Sequence, residues 1–165
     1  MKYNCNKTQK NRLCKNGVAI LSKNDHHIEG KITVKETALG LTIEYEVKGS
    51  SDGLHGFHIH EKGNLLKNDC SECAGHWNPY NKKHGGLQDN NSHAGDLGNI
   101  IANDTGEIKT HISTDKLTLY GKYSIFGRSI IIHADEDDLG KGNHDDSLIT
   151  GHAGKRLDCA IIGHS

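Results

Sequence analysis

Residues 58 to 60 read His-Ile-His. In a strand, residues i and i+2 leave the same face roughly 6 to 7 Å apart, so His58 and His60 either converge on one ion or stand as two solvated imidazoles on a polar face. Further along, His76, His84, His93 and Asp96 follow one another at spacings of eight, nine and three. Three neutral imidazoles and one carboxylate make a closed four-coordinate set, which Zn(II) accepts as a structural site. Taken singly, these are ordinary loop histidines and a turn-capping aspartate. The length of the polar stretch that carries them favours the metal, because without a metal or a disulfide little opposes its ordering entropy. His133 ends the apolar run Ile130-Ile131-Ile132, where an isolated histidine is a hydrogen-bonded core residue. In company with His58, His60 and one loop histidine it would complete four imidazoles, a tetragonal set that suits Cu(II). The chain holds 13 histidines in 165 residues, so chance alone supplies about one His-x-His pair. Context therefore has to decide, and context means the elements that carry these side chains.

At 165 residues and 18.1 kDa the chain suits one domain. Lys plus Arg number 20 against 21 Asp plus Glu, which leaves no broad charge field to recruit nucleic acid or a membrane surface. Hydrophobic residues make up 33 %, with Gly at 20 and Pro at 1, a mix that predicts many turns between short strands. Period-two patterns predict strands over 18–21, 30–35, 41–47 and 54–60, with turn chemistry at 48–53. A long polar segment, 61–96, separates these from a hairpin over 97–102 and 107–113 that turns at Asn103-Asp104-Thr105-Gly106. A strand over 129–133, a second polar loop over 134–153 and a last strand over 157–162 complete the reading, with no helix of any length. The expected fold is all-β, an eight-stranded Greek-key β-barrel or sandwich with two long functional loops. It occupies 17–165 behind an N-terminal extension, 1–16.

The five cysteines, Cys5, Cys14, Cys70, Cys73 and Cys159, are an odd number and allow at most two bridges. The segment MKYNCNKTQKNRLCKNG is basic and polar with no apolar stretch, which predicts no signal peptide and a cytoplasmic rather than secreted protein. Disulfides are uncommon in that compartment. A structural zinc site from Cys5, Cys14, Cys70 and Cys73 is the rival metal reading, disfavoured because zinc ribbons pair two close Cys-x2-Cys knuckles.

Four segments, GLHGFHIHEKG (53–63), AGHWNPYNKKHGG with HAGDLGN (74–99), GRSIIIHADEDDLGKG (127–142) and GHAGKRLDCAIIG (151–163), resemble Cu,Zn superoxide dismutase in order and spacing. The resemblance runs from Gly17 to the C-terminus and implies the β-sandwich of that family. It implies the conversion of two superoxide anions and two protons to dioxygen and hydrogen peroxide by redox cycling of one copper ion, with one zinc ion positioning a bridging histidine. Copper would be held by His58, His60, His76 and His133, and zinc by His76, His84, His93 and Asp96. His76 and Arg156 would be catalytic, His76 as bridge and proton carrier and Arg156 as receiver of the anion. Asp137 would hydrogen-bond His58 and His84, His55 would be structural, and Cys70 and Cys159 would form a disulfide. Retention of the ligands together with Arg156 argues against a copper-binding module without turnover.

The chain also departs from the family pattern. Ile149 stands where many members place a channel lysine, so the fall of kcat/KM with salt is expected to be shallower than in a lysine-bearing relative. A homodimer is implied, with Phe126, Gly127 and Ile162 kept but Lys62 and His164 placed where apolar residues are usual. Leu157 replaces a proline typical of chaperone-dependent members, so a copper chaperone is a possible but not a required partner.

Overall fold

Period-two alternation builds the first strands directly. β1 (Asn16–Leu21), β2 (Glu29–Thr37) and β3 (Gly40–Lys48) form an antiparallel meander, and on β3 Leu41, Ile43, Tyr45 and Val47 are buried while Glu44 and Glu46 face out. The computed structural model describes residues 16–22 and 26–165. The expected N-terminal extension, with Cys5 and Cys14, lies outside these residues except for Asn16, which already belongs to β1.

The remaining strands are β4 (Gly53–His60), β5 (Asp96–Ala102), β6 (Ile108–Thr114), β7 (Ser129–His133), β8 (Arg156–Ile161) and β9 (Gly163–His164). They form two sheets in the orders β6-β3-β2-β1-β9 and β5-β4-β7-β8. Long connections return β6 beside β3 and β7 beside β4, the Greek-key pattern expected of such a sandwich. The described residues hold nine strands rather than eight. After β8 the chain crosses between sheets at the buried Ile162, and Gly163 and His164 pair with Val18 and Gly17 of β1. Two residues are too few for any periodicity to register. Against the expectation of no helix, the second loop holds one turn of helix, α1 (Ser147–Thr150), and 3-10 turns occur at Ser71–Cys73 and Gly121–Tyr123.

Ile32, Val34, Ile43, Phe57, Ile59, Ile130 and Ile132 fill the space between the sheets, and the Tyr45 and Phe57 rings meet across it at 5.2 Å. Each such side chain contributes about 1.5–3 kcal/mol on burial. β4 and β7 are buried on both faces, since one lies on this core and the other lies under the long loops. Alternation thus sends Phe57 and Ile59 inward and leaves His58 and His60 beneath the loops. On β7, Ile131 faces a second small cluster with Cys70, Cys73 and Cys159.

The first loop is sewn onto β4 past the point where β5 ends. Ile59 N–H donates to Gly95 O at 2.9 Å, Trp77 N–H to Ile59 O at 2.7 Å, Gly95 N–H to Trp77 O at 2.9 Å, and Glu61 N–H to Gly75 O at 2.9 Å. A disulfide between Cys70 and Cys159, 89 residues apart, ties the same loop to β8. The second loop grips the first, with His84 N–H donating to Leu148 O at 2.9 Å.

Candidate metal centre

His58 and His60 project from β4, His133 ends β7, and His76 sits opposite His60 in a bridge between loop and strand. All four are buried, and one donor atom from each lies within 4.8 Å of the others. The Nε2 atoms of His60 and His133 are 3.3 Å apart, and the His58 and His76 rings are 4.0 Å apart. His76, His84, His93 and Asp96 form a second buried set that meets the same limit of 4.8 Å. His76 belongs to both, with Nδ1 at 2.8 Å from Asp96 Oδ1. Asp96 begins β5 directly opposite His58, and its Oδ2 accepts the backbone N–H groups of His93 at 2.8 Å and Gly85 at 3.1 Å. Its other oxygen is thereby turned toward the three histidines.

A second layer of partners sets which ring nitrogen remains as a lone pair. Asp137 accepts from His58 Nε2 at 2.7 Å and from His84 Nε2 at 2.8 Å, which leaves each Nδ1 as donor to an ion. His60 Nδ1 donates to Ala74 O at 2.9 Å and leaves Nε2. His55 has no such atom to spare: Nδ1 lies 2.9 Å from His133 O and Nε2 2.9 Å from Ser51 O, so it braces the end of β7. Gly151, at a φ of 71°, lies against Asp137 and His84 so closely that a Cβ would strike both side chains.

Copper and zinc fit this arrangement. His58 Nδ1, His76 Nε2 and His84 Nδ1 are buried without a hydrogen-bond partner, and His84 Nδ1 lies 3.1 Å from Asp96 Oδ1 without the alignment of a bond. A buried polar atom left unpaired costs about 1–3 kcal/mol, and three converging on one pocket are the signature of donors awaiting cations. The donor chemistry divides accordingly, with four imidazoles on one side and three imidazoles and a carboxylate on the other.

The two sides also differ in charge. Burial lowers the pKa of His58, His60 and His76, and it pushes His133 down to about 3. Burial opposes charge on His84 as well, but the carboxylates of Asp137 and Asp96 outweigh it and raise the ring to about 9. Burial would raise Asp96, yet its contacts with His76, His84 and His93 hold it well below the ordinary carboxylate range.

His60, His76 and His133 line the floor of a cleft of about 340 Å³ whose walls include Asp135, Asp146, Thr150, His152, Gly154 and Arg156. Arg156 pairs with His133 across β7 and β8, and its guanidinium donates to Cys70 O and Ala74 O, both at 2.6 Å. The Ala74 carbonyl thus holds Arg156 and His60 together. Ile149 is exposed beside Leu148, and Thr150 rather than Ile149 lines the cleft. The ligand candidates His58, His60, His76, His84, His93, Asp96 and His133, together with Asp137 and Arg156, gather in or beside this pocket, whereas Lys62, Phe126, Gly127, Leu157, Ile162 and His164 do not line it. The rival four-thiol site does not form, since Cys70 is bonded to Cys159 and Cys73 is buried as a free thiol. Sequence reasoning missed Asn99, whose side chain clamps Asp137 by its backbone, Nδ2 to Asp137 O at 2.8 Å and Oδ1 from Asp137 N–H at 2.7 Å. An asparagine in the middle of the strand DLGNIIA was the available signal, because strands are depleted in it.

An antiparallel sandwich whose loops close over six imidazoles and two aspartates defines a metalloprotein with a two-metal pocket that opens onto an arginine-walled cleft. The family model described as copper/zinc superoxide dismutase (SODC) matches residues 28–162. The chain is 44 % identical over 151 residues to the extracellular superoxide dismutase (Cu-Zn) of Brugia pahangi, covering 90 % of this chain and 75 % of that one. The chain belongs to the copper/zinc superoxide dismutase family. It is an oxidoreductase that dismutates superoxide with copper and zinc.

One expectation is overturned. The sequence reading placed the protein in the cytoplasm and excluded secretion, whereas this relative is an extracellular enzyme. That expectation rests on the basic, polar N-terminal segment. The Cys70–Cys159 bond is formed, and a structural disulfide is ordinary in an oxidising compartment.

Proposed function

We propose that His58, His60, His76 and His133 hold copper and that His76, His84, His93 and Asp96 hold zinc, with His76 shared between them. The observation that carries this assignment is the set of unpartnered nitrogens, His58 Nδ1, His76 Nε2 and His84 Nδ1, left by the hydrogen bonds of Asp137 and Asp96. Copper supplies the one-electron couple that takes an electron from one superoxide and gives it to the next, and zinc supplies fixed positive charge. Arg156, pinned by two carbonyls at the cleft wall, receives the anion and holds it over His60, His76 and His133. His76 takes up a proton at Nε2 as the first anion leaves as dioxygen and returns it to the second. With one further proton from water, two anions and two protons become dioxygen and hydrogen peroxide. Asp137 is a positioning residue that fixes the rings of His58 and His84.

The dismutase domain is residues 17–165, preceded by the extension 1–16. A homodimer follows from the family resemblance, with Phe126, Gly127 and Ile162 kept, while Lys62 and His164 stand where apolar residues are usual and the His164 ring stacks on Phe126 of its own chain at 3.8 Å. Leu157 in place of proline supports copper loading without a chaperone. The protein acts outside the cell, as the Brugia pahangi relative does, where the Cys70–Cys159 bond persists.

Elemental analysis of the purified protein, coupled to a superoxide assay, tests the assignment. One copper and one zinc per chain with activity that disappears on copper removal are expected. Zinc alone, or activity that survives copper removal, contradicts it.

A further inference from the structure

We infer that His152 is a further anion-guiding residue of the cleft, a positive charge on its rim that is present when the imidazole holds a second proton. The substrate is a small anion, yet the fixed charges among the described residues lining the cleft are two carboxylates, Asp135 and Asp146, against one guanidinium, Arg156. Asp135 lies against Gly154 of the wall, where a Cβ would strike its carboxylate. The rim is therefore net negative unless a further group is charged. Leaving aside the three imidazoles of the floor, His152 is the one histidine among these lining residues.

Its setting is built rather than incidental. His152 Nδ1 lies 2.8 Å from Asp146 Oδ1, with both side chains about half exposed. The other oxygen of Asp146 accepts from Thr150 Oγ1 at 3.1 Å, which fixes the carboxylate under the ring. The imidazole stacks on that of His144 at 3.6 Å with an angle of 7° between planes. His152 holds a φ of 51°, a left-handed backbone that costs a non-glycine residue energy, and this folds the ring back over the 144–146 turn.

The groups facing His152 are Asp146 and His144 in contact, Asp135 and Arg156 across the cleft, and the imidazoles of His60, His76 and His133 on its floor; Lys155 lies on the neighbouring groove beside Arg156. A proton on His152 cancels Asp146 and leaves Asp135 balanced by Arg156, so the rim passes from net negative to neutral. Capture of the anion is accordingly stronger when His152 is protonated than when it is neutral.

The test uses the copper- and zinc-loaded protein and pulse-radiolysis kcat/KM at about pH 6 and about pH 8, at low salt and at roughly 0.2 M salt. For wild type at low salt, kcat/KM is expected to rise about two- to threefold at the lower pH, and the rise to shrink toward unity at the higher salt. His152→Asn, which keeps a residue tolerant of the left-handed backbone, is expected to lose the pH effect. Asp146→Asn is expected to give at the higher pH the rate that wild type reaches at the lower. In the reduced, diamagnetic holoenzyme the carbon-bound ring proton of His152 should titrate along the same curve as the rate and shift with added inorganic phosphate. A flat wild-type profile, a pH effect retained in His152→Asn, a pH effect that survives high salt, or a His152 signal that does not follow the rate would each overturn the inference.

Discussion

His58, His60 and His133 stand on β4 and β7, whose backbone is fixed by the sheet, whereas His84 and His93 stand in the loop, between its backbone bonds to β4 at Trp77 and Gly95. The strand histidines are held near neutrality of charge by burial, with His133 pushed down to about 3, while His84 is raised to about 9 between two carboxylates. One half of the centre is thus positioned by the fold and offers lone pairs at neutral pH. The other half carries a charged imidazole at neutral pH, His84, held between the carboxylates of Asp137 and Asp96. His76 and Asp137 each touch both halves and make them one site.

The largest effect that could break this contrast is on catalysis. His60→Ala should lower dismutase activity about a thousandfold, some 4 kcal/mol of barrier, with little loss of thermal stability. His93→Ala should do the reverse in rank, a smaller loss of rate with a marked fall in the melting temperature of the zinc-loaded protein. Equal losses of both kinds in both variants would erase the distinction. Comparable in size at its upper bound is the disulfide, which anchors the metal loop to β8. Cys159→Ser should lower the stability of the metal-free protein by about 4 to 5 kcal/mol at most, read from urea unfolding. Asp137→Asn should then cost about ten- to a hundredfold in metal affinity or activity, measured by competition with a chelator, because both halves lose ring orientation together.

A pH series on the metal-free protein sharpens the comparison further. His84 rises from its ordinary 6.5 to about 9, so its contribution is fully present below 6.5 and disappears as pH climbs through 9. His133 falls from 6.5 to about 3, so the unfolded chain binds the extra proton and stability declines as pH drops from 6.5 toward 3. The urea midpoint should therefore peak near pH 6.5, with slopes of opposite sign contributed by the two halves. The smallest effect concerns the exposed Ile149. Near pH 8, the decline of kcat/KM with salt should be shallower than in a lysine-bearing relative measured alongside.

How much of this was legible in the sequence follows from the same contrast. His58 and His60 could be placed on one face of a strand because period two is local, and the all-β sandwich was readable from the same alternation on β1 to β4. The spacing of His76, His84, His93 and Asp96 offered a ligand set, but nothing local says that loop residues return to Asp96 opposite His58. The roles of Asp137, Arg156 and the disulfide came only through family resemblance, since each acts across long stretches of chain, such as the 53 residues between His84 and Asp137 and the 79 between His58 and Asp137. The Asn99 clamp, the shared Ala74 carbonyl and the closeness of Gly151 are tertiary facts with only faint local traces. β9 and α1 escaped because two and four residues carry no period.

If the strand half and the loop half of the pocket bind different cations, the metal content per chain of His60→Ala and His93→Ala, each reconstituted with copper and zinc, will separate them. His60→Ala should keep zinc and lose copper, and His93→Ala should keep copper and lose zinc. Loss of both metals together in each variant, or retention of both, would contradict that division.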